Sequence, residues 1–124
     1  MKTKLLYLAQ PYSHRYRYKR KERFIRGCQA AAQLMDLGYD VFSPIAHSHS
    51  VEVEGMKKRR TGKFWLKQDF AVLRGCDAVV VLTMKGWEKS KGVRAEMKEA
   101  KRLGIPITFQ KESELQMIHE LLEA

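Results

Sequence analysis

Two carboxylates and a short hydroxyl–glycine loop are the groups best suited to chemistry. The stretch Ser90-Lys91-Gly92-Val93-Arg94-Ala95-Glu96 follows an apolar run and leads into a helical pattern. Glu96, Ala100 and Leu103 follow i, i+4, i+7 spacing and so share a helix face that is otherwise core-directed. Asp69 lies four residues after Trp65 on a second helical pattern. Paired carboxylates serve glycoside chemistry, in which one attacks the anomeric carbon while the other manages a proton or orients the nucleophile. The predicted position of Glu96 in a first helical turn would favour its ionised form by roughly 0.3–1 kcal/mol, which suits a nucleophile. Ser90, Gly92 and nearby backbone N–H groups suit an anion such as phosphate, because glycine permits close backbone approach. From spacing alone, Glu96 reads equally well as a carboxylate that only complements the helix dipole. Asp69 alone reads as the partner of a surface cation, and Ser90 alone as a helix cap.

These groups need a scaffold that brings distant segments together. Residues 4–9 read as a first strand and 10–18 as a polar, aromatic loop. Residues 19–37 read as a helix with Phe24, Cys28, Ala31 and Met35 inward, stopped by Gly38. A second strand spans 39–43, ended by Pro44, and 45–61 reads as a long polar loop carrying His47, His49 and Gly55. Residues 62–74 form a predicted helix, with Leu66, Phe70 and Leu73 toward the core. A third strand follows at 77–83, a helix at 93–103 stopped by Gly104, and a fourth strand at 105–109. Ser113 opens a last helix with Leu115, Ile118 and Leu122 inward. Strands alternating with helices imply right-handed crossovers and a parallel sheet. The expected fold is α/β: a small doubly wound parallel sheet, a Rossmann-like sandwich flanked by helices, in one domain over 1–124.

Loops that follow parallel strands converge on one sheet edge. The first brings Tyr7, Gln10, Pro11, Tyr12, Ser13 and His14. The second brings Ser43, His47, Ser48 and His49, and the third Trp87, Ser90, Gly92 and Glu96. Tyr7 alternates with Leu6 and Leu8 and could simply pack on a sheet face. Trp87, beside Gly86, is a better aromatic than Trp65 for contacting a base. His47 and His49 lack the further ligands of a zinc set, so no metal is expected. No G-x-G-x-x-G follows the first strand and no phosphate-binding P-loop is present.

At 124 residues and 44% apolar content the chain supports one modest core. No apolar run approaches the roughly 20 residues of a membrane span. The apolar run 5–9 is too short for a signal peptide and lacks a small-residue cleavage site, so a cytoplasmic location is the default. Cys28, on an apolar helix face, and Cys76, just before a strand, read as buried free thiols. The net charge of +10 admits nucleic-acid binding, an anionic small substrate, or a solvated basic surface. The densest basic runs, 15–26 and 57–63, read mostly as solvated faces. No nucleic-acid motif is present, and nucleic acid ranks last among partners.

The chain resembles the nucleoside 2-deoxyribosyltransferase-like superfamily, above all its nucleoside 5′-monophosphate N-glycosidase branch and a small bacterial and phage family within it. The resemblance rests on Tyr7-Leu8-Ala9-Gln10-Pro11-Tyr12, Gln68-Asp69, Cys76-Asp77-Ala78-Val79-Val80-Val81 and Ser90-x-Gly92-Val93-x-x-Glu96, in that order and spacing. It implies Glu96 as nucleophile on C1′, Asp69 as its partner, Tyr7 as the group that positions it, and Ser90 and Gly92 at the 5′-phosphate. Gln10, Tyr12, His47, Trp87 and Arg94 complete the expected substrate contacts. The first loop lacks the glycine and arginine of the nucleotide hydrolases, and Arg94 stands where they tend to have glycine. Either the phosphate contacts fall to Arg15, Arg17 or Arg94, or the substrate differs from that of the nucleotide hydrolases. The resemblance implies a small-molecule nucleotide substrate, no cofactor, and a homodimer or larger homo-oligomer. The expected activity is N-glycosidic cleavage of a nucleoside 5′-monophosphate; the alternatives are a deoxyribosyltransferase and a non-catalytic nucleotide-binding module.

Overall fold

The two most apolar runs of the chain lie side by side at the centre of a four-stranded parallel sheet. In the computed structural model, which describes residues 4–118 and Leu122, they are β1 (Leu5–Ala9) and β3 (Ala78–Leu82). Leu6 pairs with Ala78 and Ala9 with Val81. The short β2 (Asp40–Phe42) flanks β1 and β4 (Ile107–Gln110) flanks β3, so the strand order is β2-β1-β3-β4. Every residue of β3 is buried, as expected for a parallel strand covered on both faces.

Alternation along these strands builds two cores. Leu6, Leu8, Val80 and Leu82 face α1 (Arg17–Asp36), together with Leu115 and Ile118. Tyr7, Ala9, Val79 and Val81 face α3 (Gly62–Leu73) and α4 (Lys91–Leu103) through Leu73, Val93 and Ala100. Helices on opposite faces are what right-handed crossovers produce for this strand order. The α/β expectation therefore holds. Among the described residues, no helix is long and apolar enough to cross a membrane.

Three local expectations are corrected. Residues 45–61 are not a long loop: α2 spans Pro44–Gly55. Pro44 occupies the start of that helix, where its missing N–H costs nothing, and the Ser43 side chain accepts from the Ala46 N–H at 3.1 Å. The strand stop and the helix start share one residue pair. The inward face of α1 is Gly27, Ala30, Ala31 and Leu34; only Ala31 of the expected stripe is buried, and Met35 is 51% exposed. Small residues there let the helix approach the sheet closely. Beyond β4, residues Glu112–Met117 form a 3₁₀ turn, not the start of a regular helix. The rest of the expected last helix lies outside the described residues except Leu122, which packs on the α1-side core.

Leu34 is fully buried between α1 and the sheet. Leu34→Ala should destabilise the protein by about 2–5 kcal/mol in urea unfolding, whereas Met35→Ala should cost less than about 0.5 kcal/mol.

Candidate active site

The order β2-β1-β3 creates a switch point. The chain leaves β1 toward one neighbour and β3 toward the other, and open α/β sheets bind ligands in the crevice this leaves. A cavity of about 1180 Å³ occupies that edge. Its walls are the loop after β1, the inner side of α2, the whole length of α3, the loop after β3 and the start of α4.

At its floor stands a buried array of three polar side chains. Tyr7, on β1, points to the α3–α4 face, and its hydroxyl donates to Glu96 Oε2. Glu96 and Asp69 line the cavity, each only 5% exposed. Burial pushes the Glu96 carboxyl up to about 8; the Tyr7 hydrogen bond acts against this and the Asp69 charge adds to it. Burial likewise raises Asp69 to about 7. Burial and the two neighbouring carboxylates hold the Tyr7 phenol protonated far above its ordinary range. Asp69 Oδ1 is buried without a hydrogen-bond partner.

This corrects the electrostatic expectation for Glu96. Helix α4 starts at Lys91, so Glu96 lies in its second turn, beyond the reach of the terminal dipole. Desolvation dominates, and the acid form is favoured. Burial raises both carboxyls, and the Asp69 charge adds to the rise at Glu96.

The other expected residues divide. Ser90 caps α4, accepting from the Val93 N–H at 3.2 Å, and its hydroxyl hydrogen remains available to a ligand. Ser90 and Gly92 line the cavity, and a Cβ at Gly92 would meet only Ser90 Oγ, at 3.8 Å, leaving room for an anion. Tyr12 and Gln10 also line it. The Gln10 side chain is committed to the fold: Nε2 donates to the Arg23 carbonyl at 2.9 Å, and a Cβ at Gly27 would come within 1.9 Å of Oε1. A side chain at Gly27 would thus displace the Gln10 amide where the first loop meets α1.

His47, Trp87 and Arg94 are not among the lining residues. The exposed His47 lies on helix α2 with its ring 6.0 Å from Phe42. Trp87 packs against Phe109 and the α4-side core. Arg94 Nε donates to the Glu88 carbonyl at 2.8 Å, closing the turn before α4. Arg15 instead lies over the Tyr16 ring at 4.8 Å.

Sequence reasoning allowed that some side chains of the basic runs steer a phosphate toward a cleft, but it did not identify which cations form the wall. Arg23, Arg59, Arg60, Lys63, Lys89 and Lys91 all line the cavity. Arg23 donates to the Ser13 carbonyl at 2.8 Å and passes beside Gly86, where a Cβ would lie 3.3 Å from its guanidinium. Gly86 has a φ of +92°, a conformation that also favours glycine. Glu52 fixes the basic segment after α2: it accepts from Trp65 Nε1 at 3.2 Å and pairs with Arg59 at 3.5 Å. The signal was present in the run 57–63, but only the third dimension shows which side faces the carboxyls. Among the described residues, no cluster of His, Cys, Asp and Glu could hold a metal ion.

The family model of DUF1937, a domain of unknown function, matches residues 4–112. No curated protein matches the chain. Among solved structures, the 2-deoxyribosyltransferase of the psychrotolerant bacterium Bacillus psychrosaccharolyticus is 22% identical, with a TM-score of 0.59, over 85% of this chain and 70% of that one. At that identity the likeness is one of fold alone.

Keeping carboxyls neutral in the folded state has a measurable cost. Below about pH 4 both folded and unfolded chains hold these protons. Above it the unfolded chain releases them while the folded chain keeps them, so stability falls as pH rises toward about 8. Glu96→Gln should therefore be more stable than the native chain at pH 8, by on the order of 3 kcal/mol, with the gap closing near pH 4. Thermal unfolding across that range checks this; equal melting temperatures at pH 8 would contradict it.

Proposed function

We propose that this chain, which belongs to the DUF1937 family, is an N-glycosidase that cleaves the base–sugar bond of a nucleoside 5′-monophosphate. The observation that carries this reading is the Tyr7–Glu96–Asp69 array at the floor of a cation-walled cavity. The fold shared with a 2-deoxyribosyltransferase supports the choice of a C1′-centred reaction.

In this reading the Glu96 carboxylate attacks C1′, forming a C1′–O bond as the C1′–N bond breaks. The bond electrons leave with the base, which takes its proton from Asp69. Asp69 suits this role because burial brings it to about 7, where it can give and regain a proton near neutral pH. Tyr7, held protonated, steadies the Glu96 carboxylate and lowers the cost of ionising it. Water then attacks C1′ and passes its proton to Asp69, and Glu96 departs as the carboxylate. Ser90, Gly92 and the α4 N-terminal backbone, with Lys89, Lys91 and Arg23 nearby, are assigned to the 5′-phosphate.

A second reading, transfer of the sugar to another base in place of water, draws on the activity named for the structural neighbour. A binding module without turnover fits less well, because two buried carboxyls lower stability and a binding role does not require them.

Incubation with a panel of nucleoside 5′-monophosphates should release free base, and Glu96→Ala should reduce the rate by at least about 10³-fold. Retained activity in that variant would exclude the mechanism, whereas base exchange on adding a second base would favour transfer. Because the Tyr7 hydrogen bond lowers the Glu96 value from what burial alone would give, Tyr7→Phe should move the rising limb of the kcat/KM–pH profile from near pH 8 to higher pH.

A further inference from the structure

The basic runs 15–26 and 57–63 are far apart in sequence, yet they meet at a second cavity. It has a volume of about 660 Å³ and adjoins the first, the two sharing Tyr12, Glu52 and Arg59 as a common wall. Its cations are Arg17, Arg20, Lys21, Lys57, Lys58 and Arg59, against the carboxylates Glu52 and Glu54. Between them the two cavities gather more than half of the chain's 24 lysines and arginines.

The shared wall is firmly built. The Tyr12 hydroxyl and His49 Nδ1 lie 2.7 Å apart, and the His49 ring stacks on Phe24 with centroids 4.1 Å apart. Tyr16 and Tyr18, on either side of the cavity-lining Arg17 in sequence, stand 45% and 64% exposed, stacked with ring centroids 5.7 Å apart. Exposed aromatic rings interleaved with arginines form the platform on which unpaired bases stack while cations track the phosphates.

Topology gives this arrangement a direction. The Ser90–Gly92 loop follows β3 and α2 follows β2, and these strands lie on opposite sides of β1. The carboxyl array is anchored to β1 through Tyr7, so it sits between the two cationic ends. The first cavity alone, at about 1180 Å³, exceeds the roughly 300–1,000 Å³ of ordinary small-molecule sites. A mononucleotide held by its 5′-phosphate at the Ser90 end leaves the second cavity unused.

We infer that the nucleotide acted upon is the 5′-terminal unit of a short single-stranded nucleic acid, whose following phosphates run through the second cavity and whose bases stack on Tyr16 and Tyr18. The inference rests on the glycosidase reading for the terminal unit but makes a separate claim about what extends from it.

The test uses the Glu96→Gln protein and a 5′-phosphorylated, 3′-fluorescein tetranucleotide, read by fluorescence anisotropy. The corresponding nucleoside 5′-monophosphate serves as competitor. The tetranucleotide should bind at least tenfold tighter. Its log Kd should rise more steeply with log salt, by roughly 0.7 for each added phosphate contact. Lys57→Glu/Lys58→Glu should weaken the tetranucleotide tenfold or more and the mononucleotide less than threefold; Tyr18→Ala, at an exposed position, should weaken only the tetranucleotide. Equal affinity for the two ligands, or equal losses in the variants, would overturn the inference. In the native protein, base release from the mononucleotide but not from the tetranucleotide would overturn the inference and leave the glycosidase reading intact. Tight, salt-dependent tetranucleotide binding with no base released from either ligand would overturn the glycosidase reading and keep the binding path.

Discussion

Burial of two carboxyls beneath an open, cationic cavity is the constraint on which the rest of this protein turns. An ionised carboxylate in an apolar setting is costly unless it is paired, and no lysine or arginine pairs with Glu96 or Asp69 among the described ion pairs. The array instead relies on the Tyr7 phenol, which donates to Glu96, and on the raised proton affinity that burial gives both carboxyls. A cation placed directly on Glu96 would hold it ionised and would compete with the nucleophilic role proposed for it. The cations stand at the cavity wall, where they can meet an incoming anion without neutralising the floor.

The fold supplies what such an array demands. Tyr7 reaches Glu96 because the period-2 alternation of β1 turns it to the α3–α4 face, while Leu6 and Leu8 seal the other face against α1. Asp69 and Glu96 come from separate helices, α3 and α4, that pack on that same face, and their neighbours Leu73, Val93 and Ala100 are buried in its core. Shifting either helix by a residue would swing its carboxylate into apolar packing or into solvent, so core packing and site geometry are set together.

How much of this was legible in the sequence follows from which interactions are local. Strand alternation, the glycine stops at Gly38 and Gly104 with φ of +102° and +73°, and the Ser90 cap depend on near neighbours, and they read correctly. Helix α2 was lost because Ser43-Pro44 is both a strand terminator and a helix opener, and only tertiary context separates the two. The α1 stripe differs from the spacing-based face because the sheet accepts Gly27, Ala30 and Ala31 at close range and leaves Met35 outside. The carboxyl pair could be nominated from spacing and from resemblance. Its protonation could not, because desolvation is a property of surroundings contributed by every element.

The basic segment after α2 shows the same limit in its sharpest form. As a string, residues 57–63 are a charge run of the kind that usually covers a solvated face. In the fold, Glu52 reaches across from α2 to hold Arg59 and Trp65, turning Arg59, Arg60 and Lys63 toward the cavity, while Lys57 and Lys58 line its neighbour. One partly buried carboxylate thus divides a single run between two adjoining spaces. More than half of the chain's lysines and arginines thus line these two adjoining spaces, the distribution from which an extended anionic ligand is inferred.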